Sequence, residues 1–298
     1  MKTRKIQRAK LELSEIGFGC MSLGSDYTLN ERMIHKAIDH GISYFDTADL
    51  YQRGENERML GKAIKGKRED LIIATKVGNR WFDDKEGWEW TPRKNYILNA
   101  VDDCLLRLGI DQIDICQLHG GTIEDPLEEI IEAFEELQEL GKIRHYGLSS
   151  IRPNVFMKMA KESRVVSNMM QYSLLDRRAE PYLEQLNDLG VGVITRGGLA
   201  KGLLAGKRIS DYLGYTIQSI DLMIDKMKLF SIEKKYLSHV ALDWILGHSA
   251  VTSVVVGLSN MDQLNELIAF EASTPLSTIE RDELSHVLKP AVYDKHLV

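Results

Sequence analysis

Short apolar runs alternate with longer amphipathic segments along the whole chain, a pattern that predicts βα units around a parallel sheet. Eight runs begin near Ile16, Ser43, Leu71, Ile113, Ile143, Ser167, Gly192 and Ser253, and each ends in polar or glycine residues suited to a loop. Eight such units predict closure into a (β/α)8 TIM barrel of the α/β class. The intervening helices are clearest over 93–108 and 127–140, where Ile130, Ile131, Phe134 and Leu137 recur at helical spacing. Gly109 and Gly141 end them. Residues 5–13 predict an N-terminal hairpin and residues 277–288 an additional C-terminal helix, each placed to cap a barrel end. The segment 207–230 is the least regular, and reads as a mobile flap over the barrel mouth or as a surface insertion.

A barrel of this class fills ~250 residues or more as one unit, so residues 1–298 read as a single barrel domain. An apolar share of 44% and a charged share of 28% supply a core and a soluble surface. The net charge of -6 argues against nucleic acid as a partner, because that mode needs clustered Lys and Arg. Cys20, Cys104 and Cys116 form no CxxC pair and suit reduced thiols in a cytoplasmic protein. The basic start lacks an apolar core, and no run reaches the ~20 apolar residues of a membrane span. The Glu128-to-Glu136 acidic cluster reads as a solvated helix face. These features point to a monomer or weak homo-oligomer acting on a small molecule.

Candidate chemistry concentrates in Phe45-Asp46-Thr47-Ala48-Asp49-Leu50-Tyr51, which sets a carboxylate and a phenol five residues apart just after an apolar run. Lys76 and His119 each follow a run of their own. At the carboxyl ends of three successive strands, these groups converge on one barrel mouth, where such barrels carry their chemistry. A phenol with a pKa near ~10 needs a nearby cation to exchange protons around neutrality. Lys76 is that cation, Asp46 holds it charged, and His119 hydrogen-bonds a substrate oxygen beside Tyr51, an arrangement suited to proton transfer to a carbonyl. Spacing alone identifies no hydride donor.

Competing patterns are weaker. The eight histidines contain no HxH or HxxxH pair for a metal-dependent barrel lyase, and no metal site is expected. Gly61-to-Arg68 approaches a phosphate-binding P-loop, but Arg68 stands where a hydroxyl residue is required. Gly17-Phe18-Gly19 lacks the third glycine of a dinucleotide fingerprint. Trp81, five residues beyond Lys76, is the candidate apolar wall for a substrate, with Trp88 and Trp90 more peripheral.

The chain resembles the aldo-keto reductase family over nearly its whole length. Matching motifs fall in order: Gly17-Phe18-Gly19-Cys20-Met21-Ser22-Leu23-Gly24, Gly41 through Tyr51, Gly141 through Ser150, Gln171-Tyr172-Ser173, Leu199 through Leu204 and Gly257 through Leu264. The resemblance implies an NAD(P)H-dependent oxidoreductase that reduces aldehydes or ketones, with Asp46, Tyr51, Lys76 and His119 as a catalytic tetrad and Tyr51 as proton donor. It implies cofactor contacts from Met21, Asp46, Ser149, Gln171, Arg196, Gly197, Leu199, Gly202, Gly257, Ser259, Gln263 and Glu266, and substrate contacts from Trp81 and His119. Arg196 stands where an aromatic is usual, and a planar guanidinium can also stack on a ring. Ser150 and Leu267 each replace a common asparagine. NADPH is the expected cofactor, and NADH stays open because the stretch around Ser259 and Asn260 carries no cation for a 2′-phosphate. The alternative within this resemblance is a nucleotide-binding sensor or regulatory subunit with little turnover.

Overall fold

The computed structural model describes residues 1–208, 210–234 and 236–298. Eight parallel strands close into a barrel: β1 (Ile16–Gly19), β2 (Tyr44–Asp46), β3 (Ile72–Val77), β4 (Ile113–Leu118), β5 (Ile143–Ser149), β6 (Ser167–Gln171), β7 (Gly192–Arg196) and β8 (Val251–Gly257). Each lies beside its neighbours in the chain, and β8 closes on β1 through the register Val254↔Ile16. All eight expected runs are therefore strands, the eighth beginning at Val251 rather than Ser253.

The strand period of two explains how charge enters the barrel. Tyr44, Ala74 and Ile115 point inward and share a cluster with Met169, Ile194 and Val255. Two residues further along their strands stand Asp46, Lys76 and Gln117, so these also face the interior, one layer closer to the carboxyl end. The amino end is plugged by the expected hairpin, Thr3–Ile6 paired with Leu11–Ser14, which buries Ile6, Leu11 and Leu13 in that cluster.

The outer layer contains α1 (Tyr27–Asp39), α2 (Glu55–Ala63), α3 (Lys94–Leu108), α4 (Leu127–Glu139), α5 (Pro153–Glu162) and α6 (Glu180–Asp188). It continues with α7 (Ile217–Lys234), α8 (Leu237–Leu246), α9 (Met261–Ala269) and α10 (Thr278–Ser285). Ile97, Ala100, Val101, Cys104 and Leu108 bury one stripe of α3, and Gly109 ends it in the left-handed conformation, φ 63°. The acidic face of α4 is paired as well as solvated: Glu132 and Glu136 reach Lys94, and Glu135 reaches Arg164. The expected last helix is α10, started by a capping box between Ser277 and Glu280.

Two expectations need correction. The segment read as irregular is largely α7, which buries Ile220, Met223, Ile224 and Met227 at helical spacing; Ile209 lies outside the described residues. Exposed Leu222 and Leu229 on its other side blur that stripe, which hid the helix in the sequence. The stretch after Lys76 is a hairpin, Asn79–Trp81 against Trp88–Trp90, and Trp90 is not peripheral. Its indole Nε1 donates to Asp125 at 3.0 Å, and its ring fills the space beside Gly78 that a β-carbon would occupy and packs against Gly120.

Candidate active site

A buried lysine anchors the mouth. Lys76 is 1% and Asp46 4% exposed, so this ion pair needs close geometry and extra hydrogen bonds to offset the loss of water. Both are present. The Lys76 ammonium donates to Asp46 Oδ1 at 2.6 Å, to the Thr47 carbonyl at 2.7 Å and to the Tyr51 hydroxyl at 3.2 Å, which uses its full set of donors. Asp46 Oδ2 accepts from Gln117 Nε2 at 3.3 Å. Burial works against the lysine charge, but Asp46 and Tyr51 outweigh it and hold the ammonium above its usual pKa. Because Tyr51 accepts from Lys76, its own proton is left for an acceptor in the mouth.

His119 completes the cluster, its ring edge-on to Tyr51 with centroids 5.9 Å apart. Its backbone is pinned by Asn79 Nδ2, which donates to the His119 carbonyl at 3.0 Å. Burial, helped by the charges of Lys76 and Arg196, pushes its pKa down to about 3, so the imidazole is neutral at physiological pH. Its Nδ1 is shielded from water and has no hydrogen-bond partner among the described residues.

Tyr51 opens a strained segment. Gln52 and Arg53 follow it with φ 52° and 53°, a left-handed pair that costs on the order of 1–3 kcal/mol per residue and persists only where its surroundings impose it. Asn56, fully buried on α2, supplies that restraint: it accepts from Thr47 Oγ1 at 2.7 Å and donates to the Cys20 carbonyl at 2.9 Å and to Gln52 Oε1 at 3.3 Å. Gln52 in turn donates to the Leu23 carbonyl at 2.9 Å. Sequence reading missed Asn56 and Gln117. The period of two from His119 would have found Gln117; Asn56 acts only through contacts distant in sequence.

The opposite arc of the mouth is open in the sense that its polar groups have donors to spare. Ser149, Gln171 and Arg196 end β5, β6 and β7, with Gln171 and Arg196 in register. Among the described residues, the Ser149 hydroxyl and the Gln171 amide nitrogen donate no hydrogen bond to protein, while Gln171 Oε1 accepts from Arg178 at 3.4 Å. Gly197 and Leu199 lead into a turn where Ala200, Lys201 and Gly202 are successively left-handed, φ 46°, 58° and 96°. The turn closes on itself, the Ala200 and Gly202 N–H groups donating to the Gly197 and Leu199 carbonyls at 2.8 and 2.7 Å. The Lys207 side chain lies across Gly202, where a β-carbon would collide with it.

The remaining expected contacts divide. Met21, 63% exposed, and Gly257 stand at the rim between β1 and β8, Gly257 packed so closely on Ser22 that a side chain would not fit. Ser259 and Gln263 are joined to each other, through Ser259 N–H and Oγ donating to Gln263 Oε1 at 2.9 and 3.1 Å. Glu266 accepts from the Ser238 hydroxyl and so binds α9 to α8. Asn260 caps α9 by accepting from the Gln263 N–H at 3.0 Å. Trp81 donates to the Leu50 carbonyl at 3.2 Å, stacks under Arg53 and lines a cavity of about 280 Å³ with Asp49, Asn79, Tyr96 and Arg107.

The sequence profile of the Aldo/keto reductase family matches residues 15–289. The chain is 44% identical, over 99% of both proteins, to YqkF of Bacillus subtilis (strain 168), described as an uncharacterized oxidoreductase. Among solved structures, aldo-keto reductase AKR11C1 from Bacillus halodurans is 46% identical, with a TM-score of 0.94 in its holo form over 99% of each chain and 0.86 in its apo form. Glycerol dehydrogenase AKR11B4 from Gluconobacter oxydans gives a TM-score of 0.84 at 25% identity, covering 96% of this chain and 94% of that one. With a family profile across nearly the whole chain and relatives this similar end to end, the protein belongs to the aldo-keto reductase family of oxidoreductases.

Proposed function

We propose that this protein reduces aldehydes or ketones to alcohols with a nicotinamide dinucleotide, NADPH in the first place. The observation that carries the proposal is the buried ammonium of Lys76, set between Asp46 at 2.6 Å and the Tyr51 hydroxyl at 3.2 Å. A cation so held stabilises the negative charge that develops on the Tyr51 oxygen as its proton passes to a carbonyl oxygen. Neutral His119 hydrogen-bonds and orients the carbonyl oxygen beside Tyr51 without adding a competing charge. Asp46 and Gln117 keep the lysine charged and in place, and Asn56 fixes the segment that carries Tyr51.

The open arc fits the cofactor. The unused donors of Ser149 and Gln171 match a carboxamide, and Lys207, lying across Gly202, offers a cation to a pyrophosphate. Exposed Lys207 and Arg208 provide charge for a 2′-phosphate. The greater likeness to the holo than to the apo form of the Bacillus halodurans relative supports the same reading. When bound, a reduced nicotinamide supplies hydride to the carbonyl carbon. Trp81 is proposed as an apolar wall for the substrate.

Titrating the protein's tryptophan fluorescence with NADPH and with NADH tests this reading, followed by turnover on a panel of aldehydes and ketones. Quenching that saturates, with carbonyl-dependent loss of the reduced cofactor, is the expected result. Absence of binding by both nucleotides at millimolar concentration contradicts it.

A further inference from the structure

The order of strands around the barrel separates two sets of groups. Tyr51, Lys76 and His119 follow or end β2, β3 and β4, and β7 lies diametrically across from β3. A carbonyl whose oxygen is gripped by Tyr51 and His119 turns its carbon toward the far arc, so a hydride donor must stand on the side of β6, β7 and β8. Arg196 ends β7 at the centre of that arc.

Its charge has no close counter-ion among the described residues. Two carboxylates of this end of the barrel are already committed: Asp46 to Lys76 at 2.6 Å, and Asp176 to Arg178 through two contacts of 2.8 Å. Among the described residues, the Arg196 guanidinium has no ion-pair or hydrogen-bond partner. It is only partly buried, but its field reaches far enough across the mouth to disfavour protonation of His119.

A nicotinamide ring is neutral when reduced and carries a positive charge once it has lost hydride. We infer that Arg196 makes the site discriminate between these two states, favouring the reduced dinucleotide and expelling the oxidised one. The inference rests on the proposed function and adds a direction to it: the site is biased toward carbonyl reduction and rapid release of the spent cofactor. Unit charges ~5 Å apart repel by enough to change an affinity about fourfold in bulk water and roughly a few hundred-fold at the dielectric of a protein surface, and about tenfold is expected for a site open to water. Phosphates and ribose are common to both forms, so any contact Arg196 makes with them cancels in the ratio of the two affinities.

The experiment measures dissociation constants of NADPH and NADP+ for the wild type, Arg196→Gln and Arg196→Lys, with circular dichroism confirming that each is folded. The wild type should bind NADPH about tenfold more tightly than NADP+. Arg196→Gln should bring that ratio close to one, mainly by tightening NADP+, and Arg196→Lys should keep most of it. A ratio unchanged in Arg196→Gln overturns the inference while leaving the proposed function intact, and shows that residue 196 senses a part of the nucleotide or substrate other than the ring charge. Failure of the wild type to bind either form overturns both.

Discussion

The two arcs of the barrel mouth are built to opposite rules. From β2 to β4, Asp46, Lys76, Tyr51 and the Gln117 amide nitrogen are bonded to one another, and all but Tyr51 lie sealed from water, with Gln117 Oε1 and His119 Nδ1 unpartnered among the described residues. From β5 to β8, Ser149, Gln171 and Arg196 keep donors or charge in reserve. The first arrangement suits a reacting group, which must be oriented before substrate arrives. The second suits a ligand-binding surface, whose polar groups find their partners only on binding.

The largest expected effect comes from opening the sealed arc. Lys76→Met leaves Asp46 buried without its partner, a change that typically costs about 3–5 kcal/mol of stability. It also removes the cation beside Tyr51, so turnover should fall by about 10²–10⁴. Urea unfolding together with steady-state rates checks both, and wild-type stability in this variant would mean that the pair does not organise the arc.

A second test lies behind Tyr51. Burial, with Glu57 adding to it, pushes the Asp49 carboxyl up to about 8. The folded protein therefore holds this proton while the unfolded chain releases it near 3.8, so the group's contribution to stability declines as pH rises from about 4 to 8. Asp49→Asn should leave stability near pH 4 little changed and raise it by ~2 kcal/mol or more at pH 8, since each tenfold difference in proton affinity between the folded and unfolded chain corresponds to ~1.4 kcal/mol. Unfolding curves at the two pH values read the difference. Equal stabilities for variant and wild type at pH 8 would place Asp49 in a wetter setting than its burial indicates.

The open arc should respond more gently. Asn260→Arg removes the cap of α9 and should cost about 1 kcal/mol, a typical loss for a cap residue. Its new cation should tighten NADPH a few-fold and leave NADH little changed, as charge-assisted bonds to the additional phosphate require. Equal tightening of both cofactors would show that residue 260 does not approach the 2′-phosphate. Smallest of all is the effect expected of His119. With its pKa down at about 3, turnover should show no inflection from this group between pH 5 and 8. A transition near pH 6.5 that vanishes in His119→Gln would contradict that.

The contrast also marks what was legible in the sequence. Barrel closure and the gathering of Asp46, Lys76 and His119 follow from runs and periods of two, which are local. The brace of Asn56, the wedge of Trp90 and the packing of Glu266 on Ser238 depend on which surfaces meet after folding, so no spacing announces them. Asn260 shows the same limit at single-atom scale: its amide oxygen accepts from the first turn of α9, so only its Nδ2 donor is left for a phosphate.

The division between a reacting arc and a binding arc can be put to one comparison of wild type and Tyr51→Phe. Each protein is saturated with NADPH and mixed with an aldehyde, and the reduced-nicotinamide absorbance is followed through a single turnover, alongside the NADPH dissociation constant. The variant should bind NADPH as tightly as the wild type and consume it about 10²–10⁴ times more slowly, the share that general acid catalysis contributes. Consumption at the wild-type rate, or loss of binding in proportion to loss of rate, would show that Tyr51 is not the proton donor of a separately built arc.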